Sequence, residues 1–398
     1  MDPVRNPFSP GAGTPPPMLV GREEILMQGD ILFRRILDGR SEKSMMLTGL
    51  RGVGKTVLLG VLERQAKELG FMTIFHEAGE DSRVGVFLAQ GLRKILLTLD
   101  SAASMKKRAR KALLALRNFV GTLRVNVGEF GISAEPLLGY ADSGNLEADL
   151  TELLVLVGEA AQEQRKAVAI FIDEIQYFEK EEFGALIMAF HRIQQRNLPM
   201  VLVGAGLPIL PALAGELKSY AERLFAFPNV GTLTREDAVK ALVVPIQKES
   251  AEITFEAAEV IYEKTSGYPY FIQEWGSRVW IMTPNGEKIS SDIVEQATES
   301  VIVRLDESFF RVRYDRLTSG EKVFLRYMAE IYQGVPIKME EMVKIAGKKS
   351  GTLSQVKRLL EKKGVIYAPR YGVFDFTVPL FDAFMRRVMP KLPENRKF

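Results

Sequence analysis

The residues with the clearest chemical pattern in this 398-residue chain form the segment Gly49-Leu50-Arg51-Gly52-Val53-Gly54-Lys55-Thr56. The segment satisfies the pattern G-x-x-x-x-G-K-[ST], whose glycines let successive backbone N–H groups turn toward a phosphate. We expect Lys55 to be a solvent-facing charge that binds the β- and γ-phosphates, and Thr56 to be a hydroxyl ligand of Mg²⁺. The predicted nucleotide-binding residues of this segment and just after it are Gly49, Arg51, Gly52, Val53, Gly54, Lys55, Thr56 and Val57.

A second pattern is a fully apolar run, Val168 to Ile172, that ends in two carboxylates. Asp173 at the tip of this strand would hold the Mg²⁺ shell, and Glu174 would polarise the attacking water. A further strand separates this run from the phosphate loop, which is typical of P-loop ATPases with a catalytic glutamate. No guanine-reading sequence N/T-K-x-D is visible, so ATP is favoured over GTP. Glu174 and Lys55 are the predicted catalytic groups, and Thr56 and Asp173 the predicted metal ligands.

The segments that must position these residues alternate between short apolar runs and helical patterns. This alternation predicts an α/β P-loop NTPase with a parallel five-stranded sheet covered on both faces. The predicted strands are Ser44 to Thr48, Phe71 to Phe75, Val168 to Ile172, Met200 to Gly204 and Phe225 to Val230, and the predicted helices flanking the phosphate loop are Glu24 to Leu37 and Thr56 to Leu69.

Residues 101–150 do not fit this alternation. Met105 to Asn118 holds six basic residues and no acidic one, and Thr122 to Ser133 alternates weakly, as in a hairpin. Two interpretations of the basic run stay open: a solvated helix face, or a contact with DNA or a partner.

The chain after Thr234 is helical and ends in a different kind of unit. Three helices followed by two strands that meet at Arg370-Tyr371-Gly372 predict a winged helix-turn-helix. The predicted divisions are a Pro/Gly-rich extended arm at 1–17 that does not pack, the ATPase domain at 18–233 with its insertion at about 101–150, a helical lid domain at 234–312 and the winged helix at 313–398.

Composition excludes several classes of protein. There is no cysteine and there are only two histidines, so a disulfide scaffold, a zinc ribbon, a thiol nucleophile and a histidine-built metal site are excluded. No apolar run approaches the roughly 20 residues of a membrane span, and the N-terminus has no secretory pattern. We expect a cytoplasmic protein with no membrane partner.

Charge is distributed unevenly along the chain. Residues 301–398 hold 20 Lys and Arg against 11 Asp and Glu, whereas residues 1–300 hold 33 against 39. In Gly351 to Lys363, apolar residues fall on one helical face and polar or basic residues on the opposite face, as a recognition helix requires. The predicted contacts with duplex DNA are Lys349, Ser354, Gln355, Arg358 and Lys362, with Arg370 at the wing tip.

Together these patterns resemble the AAA+ ATPases of the origin-recognition/replication-initiator type, a group close to the archaeal-type and STAND switch ATPases. The resemblance covers about residues 18–385. It rests on VGRE at 20–23, GLRGVGKT at 49–56, IFIDEIQ at 170–176, LVGAGLP at 202–208, YAERLF at 220–225 and SGYPYFIQEWG at 266–276.

The resemblance implies further site residues. Val20, Gly21 and Arg22 would lie against the adenine and ribose, and Pro269 belongs to a G-x-P element that packs on the base. An arginine matching Arg223 would act on the nucleotide of a neighbouring subunit, which implies self-association; a structural salt bridge is the alternative for this residue.

This sequence departs from the family at two places. The sensor 1 region reads Gly204-Ala205-Gly206, without a polar side chain, and Tyr270, Phe271 and Gln273 stand where the lid helix has its sensor 2 arginine. We therefore expect slow ATP hydrolysis that times a switch.

Three functions remain open at this stage. The first is an ATP-dependent switch that couples nucleotide state to DNA binding through the winged helix. The second is a STAND-like signalling ATPase whose winged helix contacts protein. The third is a housekeeping ATPase with neither role.

Overall fold

The computed structural model describes residues 1–11, 13–79, 81–100, 107–123, 140–370 and 372–392. The chain divides into two compact units. One comprises Arg22–Gly49 and Lys55–Val230; the other comprises Met1–Gly21, Leu50–Gly54 and the chain from Gly231 onward. The predicted helical and winged-helix domains fall in the same unit, so a boundary near residue 312 stays a prediction.

The first unit is built on a parallel five-stranded sheet of order β2-β3-β4-β1-β5. This confirms the predicted α/β P-loop fold. The last strand is much shorter than predicted, because after Ala226 only an isolated bridge between Thr48 and Asn229 continues the pairing. The strands are β1 Ser44–Thr48, β2 Met72–Glu77, β3 Val168–Asp173, β4 Met200–Gly206 and β5 Phe225–Ala226.

The central strands are buried along their whole length, as is usual for a parallel sheet covered on both faces. Register is set by pairs such as Met45 opposite Val203 and Phe171 opposite Val203. Helices flanking the sheet in this unit are α1 Glu23–Leu37, α2 Lys55–Glu68, α6 Lys180–Gln195, α7 Leu210–Leu217 and α8 Ala221–Leu224.

Three helices lie between β2 and β3: α3 Val84–Asp100, α4 Lys107–Thr122 and α5 Leu146–Glu163. Helix α4 matches the predicted basic helix, although Met105 and Lys106 lie outside the described residues. Its buried side is apolar, with Leu116 and Phe119 in the main core cluster, while Lys107, Arg108 and Arg110 are exposed. The suggested hairpin at Thr122 to Ser133 lies almost entirely outside the described residues, and both interpretations of the basic run stay open.

The second unit begins its helical part at Thr234, whose hydroxyl accepts a hydrogen bond from the Asp237 backbone N–H and caps the helix. The predicted start is thus confirmed. The helices that follow are α9 Arg235–Lys248, α10 Phe255–Thr265, α11 Pro269–Met282, α12 Ser291–Leu305 and, after a π-helical turn at Asp306–Phe310, α13 Arg311–Asp315.

The N-terminal residues pack against this helical part, contrary to the predicted unpacked arm. Phe8 is buried against Gly276 of α11, where a Cβ would overlap its ring. The Trp280 indole N–H donates to the Asp2 carbonyl at 2.8 Å, and the Asn6 amide donates to Ser277. A single apolar side chain with matched polar groups is enough to dock a Pro/Gly-rich segment.

A winged helix completes the second unit, as predicted. Its first helix begins with a capping box between Thr318 and Glu321. Three short strands pair antiparallel in the order β6-β8-β7. The elements are α14 Ser319–Ile331, β6 Ile337–Lys338, α15 Met339–Ala346, α16 Ser350–Lys362, β7 Ile366–Arg370, β8 Val373–Phe376 and α17 Phe381–Val388.

In the described part of the chain, no helix has the length and apolar character needed to cross a lipid bilayer.

Candidate nucleotide-binding site

The phosphate loop leaves the carboxyl end of β1 and leads directly into α2. The Gly49 N–H donates to the Gly206 carbonyl at 3.1 Å, which ties the start of the loop to the end of β4. Gly52 and Gly54 have φ values of +82° and +94°, in the left-handed region that favours glycine. Helix α2 begins at Lys55, so its positive N-terminal end follows the loop at once.

Thr56 and Asp173 meet at the edge of the sheet. The Thr56 hydroxyl donates to Asp173 Oδ2 at 2.5 Å, and Asp173 is only 1% exposed. Burial raises the pKa of Asp173, and its hydrogen bond with Thr56 acts in the opposite direction. A buried carboxylate beside a hydroxyl at a phosphate loop fits a Mg²⁺ ion that completes its shell with phosphate oxygens and water. Among the described residues no cluster of three His, Asp or Glu offers an alternative metal site.

Glu174 is held in an unusual backbone conformation just after the strand. Its φ is +51°, which is uncommon for a residue with a side chain and is often found at functional sites. Its N–H donates to Asp173 Oδ1 at 2.8 Å, and its carboxylate accepts a hydrogen bond from the Gln176 side-chain amide. The same amide accepts, through Oε1, from the Leu207 N–H at 3.2 Å. Gln176 therefore fixes the predicted water-polarising carboxylate to the end of β4.

Gln176 was not among the predicted site residues. Its amide supplies a polar group beside the sensor 1 region Gly204-Ala205-Gly206, which has no polar side chain of its own. A Cβ on Gly206 would overlap Gln176 Oε1, so the missing side chain of Gly206 leaves the space that the amide fills. The pattern IFIDEIQ contains Gln176, but nothing in the sequence indicates that residues 176 and 206 approach each other.

Lys55 differs from its prediction as a solvent-facing charge: it is buried, with 5% of its surface exposed. Its positive charge favours the ionised form of Asp173. The neighbouring Val53 is buried and Val57 half-buried, so neither offers much of its side chain to solvent. Their contacts with nucleotide stay a prediction.

The two segments expected at the base approach each other around Leu233. Its N–H donates to the Gly267 carbonyl at 2.8 Å, and a Cβ on Gly21 would lie 3.4 Å from its side chain. Val20 is buried, and Pro269 occupies the first turn of α11. Arg22, in the other unit, precedes α1 and is largely buried. Contact of Val20, Gly21, Arg22 and Pro269 with nucleotide stays a prediction.

Arg223 is exposed near the end of α8. It forms no ion pair with any residue that the structure describes, so the salt-bridge alternative has no support there. Its charge lies near His191, whose pKa is lowered mainly by burial and then by Arg223. The action of Arg223 on the nucleotide of a neighbouring subunit stays a prediction.

The predicted DNA contacts lie on the outer face of the winged helix. Leu353, Val356 and Leu360 are buried beneath α16, whereas Arg358 and Lys362 are exposed. This split between an apolar side and a basic side is the one predicted. The remaining predicted contacts are exposed Lys349, Gln355 and Arg370 and half-buried Ser354.

Comparison with known proteins agrees with this geometry. Residues 18–203 match the family model described as an AAA ATPase domain, and residues 307–385 match one described as a domain of unknown function. The phosphate loop, Asp173 and Glu174 all lie within the residues that match the AAA ATPase domain. The chain carries an AAA ATPase domain, followed by a helical region and a winged helix, and the predicted resemblance is confirmed to that extent.

Two solved structures are among those similar to this chain. The Walker-type ATPase paby2304 of Pyrococcus abyssi is 13% identical with a TM-score of 0.55, and the alignment covers 92% of this chain and 96% of that one. The Orc1 protein of Aeropyrum pernix, solved in complex with DNA, is 15% identical with a TM-score of 0.46, over 97% and 96% of the two chains. At such identities the first likeness shows the fold alone. No curated protein matches this sequence.

Proposed function

We propose that this protein is an ATP-binding, slowly hydrolysing switch ATPase that couples its nucleotide state to duplex DNA through the winged helix. The observation that carries the ATPase part is the hydrogen bond between Thr56 and buried Asp173 at the mouth of a phosphate loop with two left-handed glycines. Binding the phosphates, binding the metal ion and activating the attacking water all need side chains or N–H groups at this edge of the sheet.

The residues divide the chemistry among them. Loop N–H groups and Lys55 bind the phosphates. The Thr56 hydroxyl and Asp173 would hold Mg²⁺, which would supply positive charge to the phosphate oxygens. Glu174 accepts a hydrogen bond from the attacking water and draws its proton away. Gln176 keeps that carboxylate oriented, which reduces the reorganisation needed during the reaction.

Slow turnover is part of the proposal. Tyr270, Phe271 and Gln273 stand on the lid helix where a cation would stabilise the transferring phosphate. Loss of one such donor costs about 2.7–4 kcal/mol of barrier, a factor of roughly 10²–10³ in rate. A purified protein that hydrolyses many ATP molecules per second would contradict this part.

DNA binding is supported by the exposed basic face of α16 above its buried apolar side. Exposed Lys and Arg at helical spacing can neutralise phosphates on both sides of a groove. ATP can shift the winged helix only through a difference in its affinity for two conformations of the protein.

The test is the binding of a fluorescently labelled duplex DNA at low salt, with ATP, with ADP and without nucleotide. We expect binding that weakens steeply with salt and differs between the nucleotides. The double change Arg358→Glu and Lys362→Glu should lower affinity at least about tenfold, given the loss and inversion of two phosphate contacts. The double change Lys248→Glu and Lys288→Glu, at exposed positions of the helical part, is the charge-matched control. Lys55→Ala should remove ATP binding and with it the nucleotide effect.

A second candidate is supported by one contact within the second unit. Arg51 Nη2 lies against Gly364 of the winged helix, where a Cβ would be 2.6 Å away. The phosphate loop and the winged helix thus touch directly, as a STAND-like clamp requires. No affinity for duplex DNA at low salt, with nucleotide-dependent protein association instead, would favour this candidate.

A further inference from the structure

Residues 50–54 of the phosphate loop lie in the same compact unit as the helical part and the winged helix, and two side-chain donors of that unit lie near them. The first is the hydroxyl of Tyr268. A Cβ on Gly52 would lie 2.7 Å from this oxygen, and Tyr268 is 0% exposed. The hydroxyl has no hydrogen-bond partner among the described residues. A buried hydroxyl without a partner is costly, so a ligand group at this place would stabilise it.

The second donor is the guanidinium of Arg313 on α13. It packs over the Phe309 ring, 4.2 Å from the centroid, and Nη1 donates to the Phe309 carbonyl at 2.5 Å. Its Nε is buried and makes no hydrogen bond in the described structure. No described carboxylate pairs with Arg313.

The charges around Arg313 have the same sign. Burial and, after it, the nearby guanidinium of Arg51 in the phosphate loop lower the pKa of Arg313 to about 10. Arg316 acts in the same direction. A guanidinium whose Nε is buried, and which lies near two other cations, is destabilising unless an anion enters. The phosphate loop is the part of this cluster that binds anions.

We propose that Arg313 and Tyr268 bind the terminal phosphate of the nucleotide held by the phosphate loop, and so distinguish ATP from ADP. This inference rests on the proposed ATP binding and adds the residues that sense the γ-phosphate. Arg313 supplies the positive charge that the lid helix α11 lacks, but Arg313 lies on α13, in the segment that leads into the winged helix. Loss of the γ-phosphate would remove the anion beside Arg313, which favours a different placement of α13.

The test is calorimetric titration of Mg-ATP and Mg-ADP into the full chain carrying Glu174→Gln, so that ATP is not consumed. Arg313→Met in this background keeps the aliphatic packing over Phe309 and removes the charge. We expect it to lower ATP affinity at least about tenfold and ADP affinity less than about threefold, as for loss of a charged hydrogen bond to one phosphate. The matched control is Arg311→Met, two residues away and exposed on the same helix, which should leave both affinities unchanged.

A second measurement separates binding from a structural role. Without nucleotide, the Arg313→Met protein should melt at the same temperature as the parent or higher, because a charge that lies near other cations and pairs with no described carboxylate has been removed. A purely structural arginine would instead lower this melting temperature and leave the ratio of ATP to ADP affinity unchanged, which would overturn the proposal.

Two further variants keep the test decisive if Arg313→Met does not fold. Arg313→Lys should retain part of the preference for ATP, and Tyr268→Phe should lower ATP affinity about threefold to tenfold without loss of stability in the absence of nucleotide. Unchanged ATP-to-ADP ratios in both would overturn the inference. If the parent protein binds neither nucleotide, it is the proposed ATP binding that fails, and Lys55→Ala serves as the reference for that result.

Discussion

At the scale of single residues, Asp173 and Glu174 are adjacent in sequence but differ in environment. Asp173 is buried and hydrogen-bonded to Thr56, whereas Glu174 turns away through a left-handed backbone conformation and meets Gln176. Successive residues of a strand point to opposite faces, so the change of backbone conformation is what lets both carboxylates serve one site. One is placed to hold a metal and the other to polarise water.

Replacing Glu174 with Gln tests this division of roles. We expect the variant to bind ATP within about threefold of the parent and to hydrolyse it at least about a hundredfold more slowly, since a general base is lost. Single-turnover hydrolysis and nucleotide titration give the two quantities. Glu179→Gln, an exposed carboxylate five residues on, is the control. Normal hydrolysis by the Glu174 variant would show that another group activates the water.

At the scale of secondary-structure elements, the side chain of Gln176 connects the end of β4 with the turn after β3. The space that this side chain needs exists only because residue 206 is glycine. The hydrogen bonds from Gln176 to Glu174 and from the Leu207 N–H to Gln176 then tie the carboxyl ends of two neighbouring strands together.

Gly206→Ala should disturb catalysis without touching a charged residue. Its methyl group would displace the Gln176 amide and release Glu174, so we expect kcat to fall about tenfold or more with little change in KM for ATP. Gln176→Ala should give a similar loss, and the double variant little beyond either, because both act on one contact. Gly215→Ala, in α7 with open space around its Cβ, is the control. Additive losses in the double variant would contradict this link.

At the scale of the whole molecule, exposed Arg223 is the residue through which a second copy could complete the active site. An arginine supplied by a neighbouring subunit stabilises charge on the transferring phosphate and contributes strongly to rate. Under this hypothesis, ATP hydrolysis per molecule rises with protein concentration.

A mixing experiment tests the contribution of Arg223 across subunits. Arg223→Ala and Glu174→Gln should each be nearly inactive, and their mixture should regain part of the activity, because a mixed assembly contains sites with an intact Glu174 and an intact Arg223. Steady-state ATP hydrolysis against mixing ratio gives the result, with Arg192→Ala, also exposed, as the control. If Arg223→Ala hydrolyses ATP like the parent at every concentration, Arg223 has no such role.

The sequence by itself determined the local features. The sequence predicts the glycines of the phosphate loop, the apolar strand that ends in Asp173 and Glu174, the helical start after Thr234 and the two-sided pattern of α16. Each of these features is contained within a few consecutive residues, because it follows from backbone conformation and hydrophobic period. These features sufficed to predict the P-loop fold and the winged helix.

Tertiary structure decided what depends on residues distant in sequence. No local sequence pattern indicates several features of the site. These are the burial of Lys55, the docking of Phe8, the filling of the space at Gly206 by Gln176, and the approach of Tyr268 and Arg313 to the phosphate loop. Each depends on how space and charge are shared between segments brought together only by folding, and a side chain that fills a gap left by a distant glycine cannot be recognised before the chain is folded.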